Sequence, residues 1–206
     1  MAADMRMPVK APPPVVVPVH DWTGFYVGGT IGGMFGSDQY ANPFFASTRY
    51  DVSGVIGGFT AGYNLQTGKF VFGIEGDFSW SNAKGNDSSG CNPVPCTEKW
   101  PWLGTIRGRI GYAFDRFLPY LTGGAAFSRI EQSQGAVVNG TKDVTGWTIG
   151  GGFEAALTNN WSIKAEYLHV DVGNPNVVII TRFNPHEHVA RVGVNYRFGG
   201  PVVARY

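Results

Sequence analysis

Apolar and polar residues alternate with a period of two through most of this chain. In the last such run, Val192, Val194, Tyr196 and Phe198 share one face, and Arg191, Gly193, Asn195 and Arg197 share the other. Alternation of this kind predicts a half-buried β-strand. The second face carries two arginines, which no protein core accepts unpaired. An apolar outside and a charged inside is the pattern of a transmembrane β-barrel strand.

The pattern recurs upstream. Phe70, Phe72, Ile74, Gly76, Phe78 and Trp80 alternate with Val71, Gly73, Glu75, Asp77 and Ser79. Trp100, Trp102, Gly104, Ile106, Gly108, Ile110, Tyr112 and Phe114 alternate with Leu103, Thr105, Arg107, Arg109, Gly111 and Ala113. Trp147, Ile149, Gly151 and Phe153 alternate with Thr148, Gly150, Gly152 and Glu154. Trp161, Ile163, Ala165 and Tyr167 alternate with Ser162, Lys164 and Glu166.

Turn signals divide the chain into eight segments at roughly 22–36, 53–65, 69–82, 99–114, 118–132, 144–157, 161–172 and 187–198. The expected fold class is all-β, an eight-stranded antiparallel up-and-down transmembrane β-barrel whose interior is just filled by side chains. Short turns fall at Gln66-Thr67-Gly68, Asp115-Arg116-Phe117 and Thr158-Asn159-Asn160, and long polar loops at about 37–52, 83–98, 133–143 and 173–186. This rhythm assigns the short turns and both termini to the periplasm and the long loops to the outside. Residues 1–21 form a Pro-rich periplasmic segment, 22–198 the barrel and 199–206 a short tail. The stretch 8–18 reads as a polyproline spacer. Met1-Ala2-Ala3-Asp4 reads as a mature N-terminus after signal-peptide removal, with an added initiator methionine.

The same parity makes two aromatic girdles at the membrane interfaces. Phe25, Tyr63, Phe70, Phe72, Tyr112, Phe114, Phe117, Trp161, Tyr196 and Phe198 are expected at the periplasmic rim. Phe35, Phe78, Trp80, Trp100, Trp102, Phe127, Trp147 and Tyr167 are expected at the outer rim. A soluble lipocalin-like barrel would show the reverse, with aromatics inside and charges outside.

Composition agrees with a barrel. The 206 residues include 30 glycines, 14% aromatic and 15% charged residues, with a formal net charge of +1. Glycine suits a tightly curved sheet. No run approaches the roughly 18 apolar residues of a membrane helix, and barrel strands need only about 9–11 each. With no basic stripe or binding motif, nucleic acid is not an expected partner.

Candidate chemistry lies inside. Glu75, Asp77, Glu154 and Glu166 face Arg107, Arg109, Lys164, Arg191 and Arg197 in a lumen too narrow to leave charges unpaired. They predict a salt-bridged plug; a narrow, slightly cationic channel for ions or small solutes is the alternative. Cys91 and Cys96 enclose Asn-Pro-Val-Pro in a long loop and are expected to form a disulfide. No metal site or cofactor is expected. His186 and His188 flank Glu187, while His20 and His169 stand alone. No spacing with the loop serines singles out a triad, so these read as exposed rim histidines.

Several stretches resemble a known family: Trp22–Gly29 (WTGFYVGG), Phe72–Asp77 (FGIEGD), Gly104–Tyr112 (GTIRGRIGY), Pro119–Ala126 (PYLTGGAA) and Trp161–Leu168 (WSIKAEYL). Together they resemble the small outer-membrane β-barrel proteins of alphaproteobacteria, known as porin-like proteins or major outer-membrane immunogens. The resemblance runs from about Trp22 to the C-terminus and is most specific around Thr105–Tyr112. It implies a barrel akin to the OmpA membrane domain in a Gram-negative outer membrane, and no enzyme activity. It also points to Phe198 as the aromatic assembly signal; Gly199–Tyr206 follows, either dangling in the periplasm or offering Tyr206 as the terminal signal, and its glycines and proline disfavour a ninth strand, so a dangling tail is expected.

The expected role is structural and surface-interacting. The expected partners are outer-membrane lipid, lipopolysaccharide and, during insertion, the barrel-assembly machinery. The chain is expected as a monomer or a weak homo-oligomer.

Overall fold

A computed structural model of the chain describes residues 20–42, 45–87, 96–134, 138–172 and 186–198. They form eight strands: β1 (Gly24–Asn42), β2 (Phe45–Thr67), β3 (Phe70–Asp87), β4 (Cys96–Tyr112), β5 (Phe117–Gln134), β6 (Val138–Ala156), β7 (Trp161–Val172) and β8 (His186–Phe198). Each pairs antiparallel with its sequence neighbours. β1 closes on β8 from Phe25↔Phe198 to Gly36↔Glu187, giving a closed barrel in chain order. An even strand count makes that last pairing antiparallel like the rest.

Short turns gather at one end of the barrel, with the start of β1 and the end of β8. Gly68 takes a left-handed φ of +61° in the β2–β3 turn, and Asp115 takes +53° in the β4–β5 turn. Asp is among the few residues that tolerate this region. The opposite end differs from expectation. Three of the four stretches expected as long polar loops are strand over at least half of their length: β1 and β2 stay paired to Asn42↔Phe45, β3 and β4 to Asp87↔Cys96, and β5 and β6 to Gln134↔Val138. Polar composition led to loops there, but a hairpin beyond the membrane needs no apolar face to stay paired. The fourth stretch, 173–186, lies outside the described residues except for His186.

The wall is sorted by parity. Its outer face exposes Ile31, Val55, Ile74, Ile106, Leu121, Ile149 and Val192 in the middle. Aromatics flank this band at the turn end, where Phe25 touches Phe198, Phe70 touches Tyr112, Phe117 touches Phe153 and Trp161 touches Tyr196. At the hairpin end, Phe59, Phe78, Trp80 and Trp102 make a continuous edge-and-face chain.

One aromatic breaks the pattern. Trp100, expected outside in the second girdle, is 1% exposed and packs inside with Leu103, Met34 and Ile130. Between Lys99 and Leu103, β4 holds one residue more than β5: Lys99 pairs with Glu131, while Leu103 pairs with Ser128. This bulge surrounds Pro101, which has no N–H for a ladder and is confined to such irregularities in a paired strand. The extra residue reverses the faces of β4 beyond it, turning Trp100 inward and Lys99 outward.

Candidate functional site

The interior is built in three layers. At the hairpin end, Met34, Ile56, Trp100, Leu103, Ile130, Leu168, Val170 and Val189 belong to a single apolar cluster, each at most 1% exposed. At the turn end, Trp22 packs with Val71, Ala113, Leu118 and Ala156. Between them lies the charged layer.

Arg107 is its hub. Its Nη1 donates to Glu166 at 3.0 Å and its Nη2 to Asp77 at 2.9 Å and to Glu75, while Nε donates to Thr105 Oγ1 at 2.9 Å. Arg191 closes a square with the same acids, donating to Asp77 Oδ1 at 2.9 Å and to Glu166 Oε1 at 2.7 Å. Thr105 donates its hydroxyl to Asp77. Lys164 reaches Glu75 at 2.9 Å, and Arg109 reaches Glu154 at 2.9 Å and stacks 3.9 Å over the Tyr120 ring. Tyr26 and Tyr120 donate to Glu75 at 2.7 Å and to Glu166 at 3.1 Å. Asn195 and Ser162 complete the ligation of Glu154.

Eight of the nine charges read from the sequence therefore come together, four acids with four cations. The ninth, Arg197, stands apart. Its Nη2 contacts His20 Nε2 and the Asn159 carbonyl, each at 2.7 Å, and its guanidinium lies 5.4 Å over Trp22. The layer is thus balanced four against four rather than four against five.

Glycines make room for it. Arg107 faces Gly124 across the ladder, Arg191 faces Gly32, Glu166 faces Gly152, Glu75 faces Gly62, Arg109 faces Gly73 and Lys164 faces Gly193. A Cβ on Gly124 would overlap the Ile106 carbonyl and sit 2.7 Å from Arg107 Cα; one on Gly32 would sit 2.6 Å from Arg191 Cα. These glycines serve volume as well as curvature. Gly124→Ala is expected to cost about 1–3 kcal/mol by overpacking. Outward-facing Gly123→Ala, whose Cβ meets nothing closer than 3.4 Å, is expected to be near neutral. Urea midpoints of the two refolded variants check this.

The turn end is stoppered by the segment before β1, where Trp22 turns inward and His20, expected as an exposed rim histidine, is buried instead. The His20 N–H donates to Asp115 Oδ1 at 2.9 Å, Trp22 N–H to Gln66 Oε1 at 2.8 Å, and Trp22 Nε1 to the Asp115 carbonyl at 3.0 Å. The segment before β1 is thereby tied to two separate turns. Burial, reinforced by the Arg197 guanidinium, pushes His20 down to about 4, so it is neutral at pH 7.

Of the girdle residues singled out in the sequence, Phe70, Phe72, Trp80, Phe114, Trp147, Trp161 and Phe198 are exposed on the outer face, and Trp102, Tyr112 and Tyr196 are half-buried among aromatic neighbours. His169, read as isolated, lies directly across the ladder from His188. Cys91 lies outside the described residues, as does the Cys96 side chain, so the expectation of a disulfide between them falls outside what the structure describes.

Residues 11–198 match the family model described as outer membrane protein beta-barrel domain. The chain belongs to that outer-membrane β-barrel family. Its relatives include the 31 kDa outer-membrane immunogenic protein of Brucella melitensis, 33% identical and covering 96% of this chain and 93% of that one. The 22 kDa outer membrane protein of Rhizobium leguminosarum is 36% identical, covering 76% of this chain and 67% of that one. Among solved structures, outer membrane protein OprG from Pseudomonas aeruginosa superposes with a TM-score of 0.56 at 12% identity, covering 89% of this chain and all of that one. That likeness is one of fold. As a member of this family the chain is an outer-membrane protein, and the names of these relatives carry no catalytic activity.

Proposed function

We propose that this outer-membrane barrel is a closed structural element that presents surface hairpins, rather than a conduit. The observation that carries the reading is the charged layer, in which Arg107 and Arg191 bridge Asp77 and Glu166 across the lumen with side chains no more than 1% exposed. An ion crossing here would have to displace guanidiniums that each hold at least two carboxylates. Apolar packing above and the Trp22 stopper below add two further closures. Two concave depressions lie along the wall, one lined by Val27, Phe59, Phe78 and Val194 among others, the other by Ile31, Phe153, Tyr167 and Val192 among others.

In this reading the turn end and both termini face the periplasm, and the extended hairpins face outward among lipopolysaccharide, following the usual asymmetry of such barrels. The assembly machinery that inserts outer-membrane barrels would take the chain through its terminal strand β8.

Planar-bilayer recording of the refolded protein tests closure. Wild type is expected to be silent, while Arg107→Ala and Arg191→Ala leak. Heat-modifiable gel migration establishes that each variant is folded. Steady wild-type conductance, with anion preference lost in the variants, would overturn the reading in favour of a narrow channel.

A further inference from the structure

We propose that the contact between His20 and Arg197 is an acid-sensitive latch, which holds the segment before β1 in the turn end of the barrel and lets it loosen once His20 takes a proton. The geometry fixes which partner donates. A guanidinium has N–H donors and no acceptor, and it keeps its charge in a protein. The 2.7 Å contact between Arg197 Nη2 and His20 Nε2 is therefore a hydrogen bond only if Nε2 offers a lone pair. His20 must then be neutral, with its proton on Nδ1. A second proton would sit on Nε2 and point at the N–H of Arg197. Two cationic donors repel at that distance, so protonation and the contact exclude one another.

The surroundings leave little room to relieve the conflict. His20 is buried and meets the Trp22 ring edge to face at 4.8 Å. Arg197 is held as well, by the Asn159 carbonyl at 2.7 Å and by the Trp22 ring beneath its guanidinium. Burial opposes a charge on the His20 ring most strongly, followed by Arg197 from β8 and Arg116 from the β4–β5 turn. Asp115 from that turn and Asp21 beside the ring favour the charge, and they are outweighed, so the ring titrates at about 4 in place of the ordinary 6.5. A ring that has left its seat is solvated and recovers the ordinary value. Above that value both forms are neutral and the seat is fully held. As pH falls from there towards 4, the loosened form takes the proton first, and the fraction open grows by on the order of 10²-fold. Three bonds that do not involve the imidazole resist this, from the His20 N–H to Asp115, the Trp22 N–H to Gln66 and the Trp22 indole to the Asp115 carbonyl. Acid therefore loosens the segment rather than expelling it. The latch sits where residues 1–19 join the barrel, on the periplasmic side in the orientation proposed above.

Hydrogen exchange at the His20 and Trp22 amides of the refolded full chain tests this, because both donate to side chains of the turns. Corrected for intrinsic rate, protection at both is expected to fall by about 10²-fold from about pH 7 to about pH 4. The amide of Ile149, in the paired middle of β6, reports on the barrel itself and is expected to stay constant. Followed by its ¹³Cε1 shift, the His20 ring is expected to titrate at about 4 in the wild type and higher in Arg197→Met. His20→Gln, whose side-chain carbonyl accepts the same bond and takes no proton, is expected to show no fall in Trp22 protection. Heat-modifiable migration checks that both variants are folded. A wild-type ring that titrates at 6.5 would overturn the proposal. So would Trp22 protection that falls as far in His20→Gln as in the wild type, which would move the pH response to Asp115.

Discussion

Replacing Arg107 by methionine is expected to lower the unfolding free energy of the barrel by about 3–5 kcal/mol, the cost of breaking a buried ion pair from one side. Methionine matches the arginine stem as far as Nε, so the packing of the stem is kept and the loss comes chiefly from the missing guanidinium and its charge. Arg107 has no exposed side-chain surface and holds Glu75, Asp77 and Glu166 at once. Without it, Asp77 and Glu166 share Arg191 alone, and Glu75 relies on Lys164 and on Arg109 at 3.8 Å. Adding Glu166→Gln is expected to restore part of the loss, since it removes a stranded charge and the two sites are coupled. Arg197→Met, which abandons no carboxylate, is expected to cost much less. Urea unfolding in lipid vesicles, followed by the folded band on a gel, checks the series. An Arg107→Met barrel within about 1 kcal/mol of wild type would mean that the layer contributes little to the fold.

Trp22→Ala is expected to destabilise by a similar amount, about 3–5 kcal/mol, through a different mechanism. Trp22 is 1% exposed, fills the turn end against Val71, Leu118 and Ala156, and hangs from the Asp115 carbonyl by its indole N–H. Its removal leaves a cavity and takes from Arg197 the ring beneath it. It should also release the segment ahead of β1, whose grip on the β4–β5 turn runs through His20 and Asp115. An Asp21→Cys label site reads this directly. A membrane-impermeant maleimide should react faster in the Trp22→Ala background than with Trp22 in place. Equal labelling rates would show that the stopper is held by its backbone bonds alone.

The sequence made the eight strands legible because a membrane wall obliges each to repeat one rule. Val192, Val194, Tyr196 and Phe198 could be assigned outward with no knowledge of their neighbours, and Glu75, Glu166 and Arg191 inward by the same parity. What escaped was whatever depends on a partner strand or on a break in the period. Trp100 was misplaced because a single parity was carried through Pro101, where a missing N–H should have signalled a bulge. Trp22 and His20 precede the first strand and carry no periodicity, so nothing in their spacing indicates that they turn back into the barrel. His169 could not be set beside His188 without the register of β7 on β8. The hairpin extensions of β1 to β6 were taken for loops because polarity marks exposure to water, and a paired strand above the membrane is as wet as a loop.

The facing of charge by glycine has an evolutionary corollary. Wherever a large inward residue stands opposite a glycine, the two together occupy a nearly constant space, so the unit that can change is the cross-strand couple rather than the single position. An exchange of Arg107 and Gly124 would keep the total side-chain volume constant and move a guanidinium from β4 to β5, provided the two strands part slightly to clear the Ile106 carbonyl from the new Cβ. A point substitution at either must instead fill a void or force an overlap. Related barrels should therefore drift in the arrangement of their inner charges by paired exchange, and the thirty glycines of this chain would act in part as places where the interior pattern can be rewritten.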